Sequence, residues 1–227
     1  MKTPNHNPVG ILAVQGDFEL HAKMLERIGA PWKLVKHAAD LDGVGGLILP
    51  GGESTTILKF LSADGGTPQG VVPTMAEGRD AATPLPAPRA THRVAPTLSE
   101  AISQFATQGK PVFGTCAGAI LLAKEVLNPP QESLGLLDVG IERNAYGRQI
   151  DSSVRRGDCP ELADYPVQMV FIRAPIIRRV GDGVRVLGRC DGLPVLVEQG
   201  NILAATFHPE LTEDESIHRY FLKKVSH

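Results

Sequence analysis

Short apolar runs alternate with amphipathic stretches through the first half of the chain. "VGILAVQ" (9–15), "WKLVK" (32–36), "GGLILP" (45–50) and "PVFG" (111–114) are brief runs of the kind a sheet buries on both faces. Between the first two, "DFELHAKMLERIGA" places Phe18, Leu20, Met24, Leu25 and Ile28 along one helical stripe, with Gly29 as a stop. "STTILKFL" (54–61), with Ser54 near its start, and "TLSEAISQFATQG" (97–109) predict two more helices, and another helical run starts at Ala119. Strand and helix in this rhythm imply right-handed crossovers and a mostly parallel sheet covered on both faces.

The second half is richer in strands. "LLDVGIERN", "PVQMVFIRA", "GVRVLGRC", "LPVLVEQ" and "NILAATF" are short, β-branched and broken by Gly or Pro. The tight turns "RVGDGV" and "EQGN" predict antiparallel hairpins appended to the parallel sheet. A C-terminal helix is expected in "TEDESIHRYFLKKV", with Thr212 as its cap, acids in its first turn and lysines near its end. Residues 62–96 break the pattern. They are rich in Pro, Gly and Ala and hold no sustained period, so they read as a long surface insertion, or as a lid between two active-site turns. The whole chain, 1–227, is expected to form a single domain carrying this insertion.

Composition narrows the function classes. The 227 residues are 42% hydrophobic, enough for a real core, and the formal net charge is -2 with no dense basic run. Nucleic acid and anionic membranes are therefore poor partners. No apolar stretch approaches the ~20 residues of a membrane span. "MKTPNHNPVG" has no apolar signal core, and Cys116, Cys159 and Cys190 make an odd count, so reduced thiols in a cytoplasm are expected.

Cys116 sits between a predicted buried strand and a helix, in Gly114-Thr115-Cys116-Ala117-Gly118. This has the G-x-nucleophile-x-G form of a nucleophile elbow. The turn is sharp, so the nucleophile takes a strained conformation and small residues on each side let strand and helix approach. A helix N-terminus favours thiolate over thiol, and the Ala117 N–H faces where an oxyanion would form. The alternative is a small buried hydrophobe. A base is available in "FHPEL", where His208 ends a strand, Pro209 biases it to extended geometry and Glu210 can bend back to the imidazole. The alternative there is a capping histidine. The other histidines (His6, His21, His37, His92, His218, His227) lack this context, and none pairs with a cysteine at metal-ligand spacing, so no metal is expected. "LILPGGEST" (47–55) is neither a P-loop nor a dinucleotide fingerprint. Its Pro50-Gly51-Gly52 turn suits an oxyanion strand opposite the elbow, or a plain strand-to-helix turn.

Taken in order, "LILPGGEST", "GTCAG" and "FHPE" resemble class I (triad-type) glutamine amidotransferases. "LAVQGDFELH", "LGLLDVGIERNAYGRQIDS", "VFIRAP" and "FHPELTED" narrow this to a resemblance with the glutaminase subunits of pyridoxal 5′-phosphate synthases, over nearly the whole chain. The insertion is longer than that family's usual connection, and Ser153 stands where the family commonly has Phe. The resemblance implies a flavodoxin-like three-layer fold and hydrolysis of L-glutamine to glutamate and ammonia without a cofactor. It implies Cys116 as nucleophile, His208 as general acid/base and Glu210 as the group orienting it. It maps glutamine binding onto Gly52, Glu53, Ser54, Arg143, Ile172 and Arg173, with the oxyanion at Gly52 and Ala117. It also implies a hetero-oligomer with the (β/α)₈-barrel synthase subunit, which would consume the ammonia. Other readings are a different class I amidotransferase subunit and a non-catalytic, redox-sensing elbow-cysteine protein.

Overall fold

A computed structural model describes residues 7–63, 95–143 and 152–226, so the predicted insertion at 62–96 lies almost wholly outside the described residues. The strands are β1 (Val9–Leu12), β2 (Trp32–Val35), β3 (Gly46–Leu49), β4 (Val112–Thr115), β5 (Ala123–Leu127), β6 (Leu137–Glu142), β7 (Ser152–Gly157), β8 (Val167–Ile172), β9 (Ile176–Val180), β10 (Arg185–Cys190), β11 (Leu193–Gln199) and β12 (Ile202–Ala205). The helices are α1 (Phe18–Ile28), α2 (Ser54–Ser62), α3 (Leu98–Thr107), α4 (Ala117–Leu122) and α5 (Ser216–Val225).

One seven-stranded sheet, in the order β10-β11-β12-β4-β3-β1-β2, organises the molecule. From β12 to β2 the strands run parallel, and β11 and β10 extend one edge antiparallel. Register divides its side chains between two cores, because successive residues of a strand face opposite ways. Ile11, Ile48, Phe113 and Leu203 align across four strands. They pack with Leu25 of α1 and Ile217 and Phe221 of α5. One residue further along, Leu12, Leu49 and Ala204 face the other side, where they meet Ile57 of α2, Ile102 of α3 and Leu121 of α4. The result is a three-layer α/β/α sandwich of flavodoxin-like class. Each fully buried Leu or Ile in these layers contributes about 1.5–3 kcal/mol.

Strand order reverses between β1 and β3, where the chain winds first toward β2 and then toward β4. In such sheets a crevice opens at the carboxyl ends of the strands, at the point of reversal. Beside the main sheet lie a three-stranded sheet, β5-β6-β9, and a two-stranded antiparallel ribbon, β7-β8. The ribbon is tied to the main sheet by the His208 N–H, which donates to the Val170 carbonyl at 2.8 Å.

Three local expectations are corrected. The helix expected from Ala119 starts at Ala117 and stops at Leu122, and the chain continues as β5, which pairs with β6. The "RVGDGV" turn joins β9 to β10, which lie in different sheets, so it is not a hairpin. The hairpins close at Asp191-Gly192 and at Gly200-Asn201. Thr212 does not cap α5. Its hydroxyl donates to Pro209 O at 3.0 Å, Glu215 stands at the helix cap, and the acids precede the first turn. Among the described residues no helix is long and apolar enough to cross a membrane.

Candidate active site

The carboxyl ends of β1, β3, β4, β8 and β12 surround a cavity of about 350 Å³. Cys116 follows β4 directly with φ 47° and ψ -102°, a region that side-chain-bearing residues rarely occupy. Its N–H donates to Ala205 O at 2.9 Å, and its carbonyl accepts from Ile120 at 3.2 Å, so the turn is anchored on both sides. Small neighbours make the turn possible. A Cβ added to Gly114 would lie 2.6 Å from the carbonyl carbon and oxygen of Gly118, and one added to Gly118 would run into the Leu49 carbonyl. The thiol lies 3.9 Å from the Ile172 carbonyl at the end of the ribbon.

His208 faces the same cavity and is 3% exposed. Its Nδ1 lies 2.7 Å from Glu210 Oε1. Burial acts to lower the imidazole pKa, but hydrogen bonding with Cys116 and Glu210, and the negative charge each can carry, outweigh it and push it up to about 10. Burial pushes the Glu210 carboxyl above the ordinary range, with the His208 hydrogen bond pulling the other way. These contacts favour the protonated imidazole, with Glu210 at its Nδ1 and Cys116 on the cavity side. Gly51 leaves room for the imidazole, since a Cβ there would lie 3.0 Å from Nδ1.

After β3 the chain turns through Gly51 and Gly52. The Gly51 carbonyl accepts from Asp17 N–H at 3.2 Å, and Glu53 N–H donates to Gln15 Oε1 at 2.9 Å, so the loop after β1 holds both ends of the Gly51-Gly52 turn. Glu53, rather than Ser54, caps α2, accepting from the Thr55 and Thr56 N–H groups at 3.1 and 2.6 Å. Although burial acts in the opposite direction, these bonds and those from the two threonine hydroxyls push the Glu53 carboxyl down to about 2. Arg143 Nη2 lies 3.6 Å from that carboxylate. The Ser54 hydroxyl donates to Gln131 Oε1 at 2.9 Å. Arg173, at φ 45°, is a second residue in a rare backbone conformation on the cavity wall.

Of the residues singled out from sequence, Gly52, Glu53, Ser54, Cys116, Arg143, Ile172, Arg173 and His208 line this one cavity. Ala117 is buried at the first position of α4, and Glu210 is buried behind His208. Sequence reasoning missed Gln15 and Asp17, which also line it, and Gln131, which holds Ser54. The "QGD" segment after β1 carried no local signal beyond its glycine, because its role depends on β1 lying next to β3. One ligand atom from each of Asp17, His208 and Glu210 lies within 4.8 Å of the others. Two of these groups already bind each other at 2.7 Å, which makes the set an acid–base pair with a peripheral carboxylate.

The sequence model of the SNO glutamine amidotransferase family matches residues 11–69 and 89–227, passing over 70–88. A pyridoxal 5′-phosphate synthase subunit PdxT from Solibacter usitatus is 46% identical over 222 residues, covering 96% of this chain and 98% of that protein. A protein of the same name from Thermus thermophilus is 46% identical over 217 residues, covering 95% and 96%. A crystal structure described as a glutamine amidotransferase superimposes with a TM-score of 0.78 at 41% identity, covering 96% of this chain and 99% of the other. The structure of PurLQS from Thermotoga maritima, at 16% identity and a TM-score of 0.61, shares the fold.

Proposed function

The chain belongs to the SNO glutamine amidotransferase family, and from that premise we propose that Cys116, His208 and Glu210 hydrolyse the side-chain amide of L-glutamine. The protein is the glutaminase subunit of a pyridoxal 5′-phosphate synthase, and its ammonia serves vitamin B6 synthesis. The observation that carries the assignment of residues is the alignment of three groups. A strained cysteine and a histidine face one cavity, and a buried carboxylate lies 2.7 Å from Nδ1 of that histidine.

The reaction is acyl transfer. The Cys116 thiolate attacks the amide carbon, and the C=O electrons move onto oxygen. N–H groups at Gly52 and Ala117 receive the oxyanion. His208 donates its proton to the departing nitrogen, the C–N bond breaks, and ammonia leaves a thioester on Cys116. Water, deprotonated by the now neutral His208, attacks the thioester, and glutamate and the thiolate are released. Arg143 and Arg173 supply charge for the α-carboxylate of a free amino acid. The ion pair of Arg143 with Glu53 gives that carboxylate a competitor and the α-ammonium a partner.

Free ammonia becomes ammonium in neutral water and loses its nucleophilicity, so its release is useful only beside an enzyme that consumes it. We assign that role to the (β/α)₈-barrel synthase subunit, docked in a hetero-oligomer. The Gly51-Gly52 peptide offers a point of control. Turning it breaks the one bond from Asp17 N–H, at a cost of about 1 kcal/mol. One oxyanion donor is worth about 10²–10³ in rate. Glutamate release, titrated with synthase subunit, is expected to rise by that order. Cys116→Ala is expected to lower it by more than ~10³. Full activity of the isolated chain would refute the coupling, and near-normal turnover by Cys116→Ala would refute the triad.

A further inference from the structure

Behind Glu210, away from the cavity, lie two histidines that the reaction does not use. His21 of α1 and His218 of α5 are both fully buried. His21 Nδ1 is 3.0 Å from His218 Nε2. His21 Nε2 is 3.2 Å from Thr115 Oγ1, on the residue before the nucleophile, and 3.5 Å from Glu210 Oε2. The inner oxygen of Glu210 and Nδ1 of His218 have no hydrogen-bond partner among the described residues. His21 Nε2, at 3.5 Å, thus lies beside the oxygen of Glu210 that His208 leaves unbound.

Proton accounting fixes the direction of this chain. Burial, with the nearby His218 and His208, holds His21 neutral well below the ordinary histidine range. Burial, with Arg27, pushes His218 down to about 3. Each ring therefore carries one proton. With the His21 proton on Nδ1, its bare Nε2 would face a carboxylate oxygen, and His218 would be left with a buried, unpaired N–H. With both protons on Nε2, His218 donates to His21, and His21 donates toward Glu210 and Thr115. The bare nitrogen left at His218 is then an acceptor, whose weaker demand is cheaper to bury than an orphaned donor.

We propose that His21 is a positioning residue for the triad: its Nε2–H, shared with Thr115 Oγ1, is directed at the inner oxygen of Glu210 from 3.5 Å, and His218 fixes the tautomer that points this proton at the carboxylate. The inference rests on the triad reading. Glu210 must stay ionised to hold the proton on His208 Nδ1, yet burial and the Asp17 charge both act to protonate it. Two neutral histidines aligned on the carboxylate stabilise its anionic form without adding a buried positive charge. The ionisable groups facing this assembly are His208, Asp17 and Cys116 on the cavity side, and Arg27 on the side of His218.

The test compares His21→Leu, His21→Gln and Glu210→Gln in the chain docked on its synthase subunit. His21→Leu is expected to lower kcat about 10–100-fold, by analogy with the loss of outer-shell partners that orient metal-ligating side chains. KM for glutamine should change less than about twofold, since His21 does not line the cavity. The alkaline limb of kcat/KM should move to lower pH, because a less ionised Glu210 holds the His208 proton more weakly. His21→Gln retains an N–H donor and should restore most of the rate. In the Glu210→Gln background, His21→Leu should cost nothing further. A full additional loss there, or an unmoved pH profile, would mark His21 as a packing residue and overturn the proposal. Unchanged turnover in Glu210→Gln alone would refute the triad and the relay with it. A slow Glu210→Gln beside an unimpaired His21→Leu would refute only the relay. Should His21→Leu not fold, ¹⁵N spectra of the unaltered protein decide: both rings are expected neutral with the proton on Nε2, and a proton on His21 Nδ1 overturns the proposal.

Discussion

Adding one methyl group at Gly114 tests whether the close approach of β4 and α4 positions the thiol. Gly114 lies in β4 and is not among the positive-φ glycines, so Gly114→Ala introduces no left-handed backbone strain of its own. Its Cβ would lie 2.6 Å from the carbonyl carbon and oxygen of Gly118 and 2.7 Å from Leu122 Cδ1. Carbon atoms at rest are about 3.5–4.0 Å apart, so something must move by about 1 Å. Strand β4 cannot, because it is paired on both sides, with β3 and β12. The short helix α4 must give way, and it carries the Ala117 N–H and adjoins the Cys116 turn. Overpacking of this kind costs about 1–3 kcal/mol, or roughly 2–12 °C in Tm for a chain of this size. A misplacement of about 1 Å costs ~10² in rate. The control is Gly109→Ala, where φ is 83° and nothing lies within 4 Å. It should lose about 1–2 kcal/mol to backbone strain and no activity. Thermal melts and glutamate release on both variants provide the measurement. A folded Gly114→Ala with wild-type turnover would show that close strand–helix packing does not position the nucleophile.

Three further outcomes follow from the same structure. A glutamine-like electrophile should alkylate Cys116 ahead of Cys159, whose thiol is pushed up to about 12 chiefly by burial, and ahead of Cys190, raised for the same reason; peptide mapping that found either labelled first would count against the elbow. Stability should fall as pH drops below about 6.5, because the unfolded chain protonates His21 and His218 while the fold keeps them neutral, by on the order of 1 kcal/mol per pH unit for each. His208 acts oppositely: its contribution is complete below about 6.5 and is lost as pH rises through about 10, and a denaturation midpoint flat from pH 7 to 5 would contradict the buried-neutral assignment. Excising 70–88, which the family's sequence model passes over, should leave the fold and the glutaminase rate intact, and an insoluble product would show that the segment is packed.

Legibility followed burial. The parallel strands were readable because strands covered on both faces are plain apolar runs, and α1 because its buried stripe ends at Gly29, which adopts φ 79°. Strand β5 was not seen, because "AILLAKE" continues the apolar run expected to be helical from Ala119, and a short run of this kind does not reveal where its period changes. Strand β7 was missed because "SSVRRG" is largely exposed and polar, with Val154 at 63% exposure. At the site, elbow, base and acid were legible because their geometry is local: Glu210 lies two residues from His208, and the glycines flank Cys116 by two. Asp17, Gln131, His21 and His218 were not, because each reaches the site only through tertiary packing. His21 lies 189 positions before Glu210, and nothing near it in sequence announces a carboxylate partner.

The backbone conformation at Cys116 also limits which nucleophiles evolution or design can install there. At φ 47° and ψ -102° a β-branched side chain is an outlier, because the second heavy atom on its Cβ leaves it the least freedom to accommodate such a backbone. Threonine, which serves as nucleophile in other amide-cleaving sites, is therefore barred from this position by its methyl group rather than by its chemistry. Serine fits the turn and differs from cysteine in only one atom. The route from thiol to hydroxyl chemistry on this scaffold thus passes through serine alone, and the strain that presents the sulfur to its substrate also fixes the repertoire of groups that can replace it.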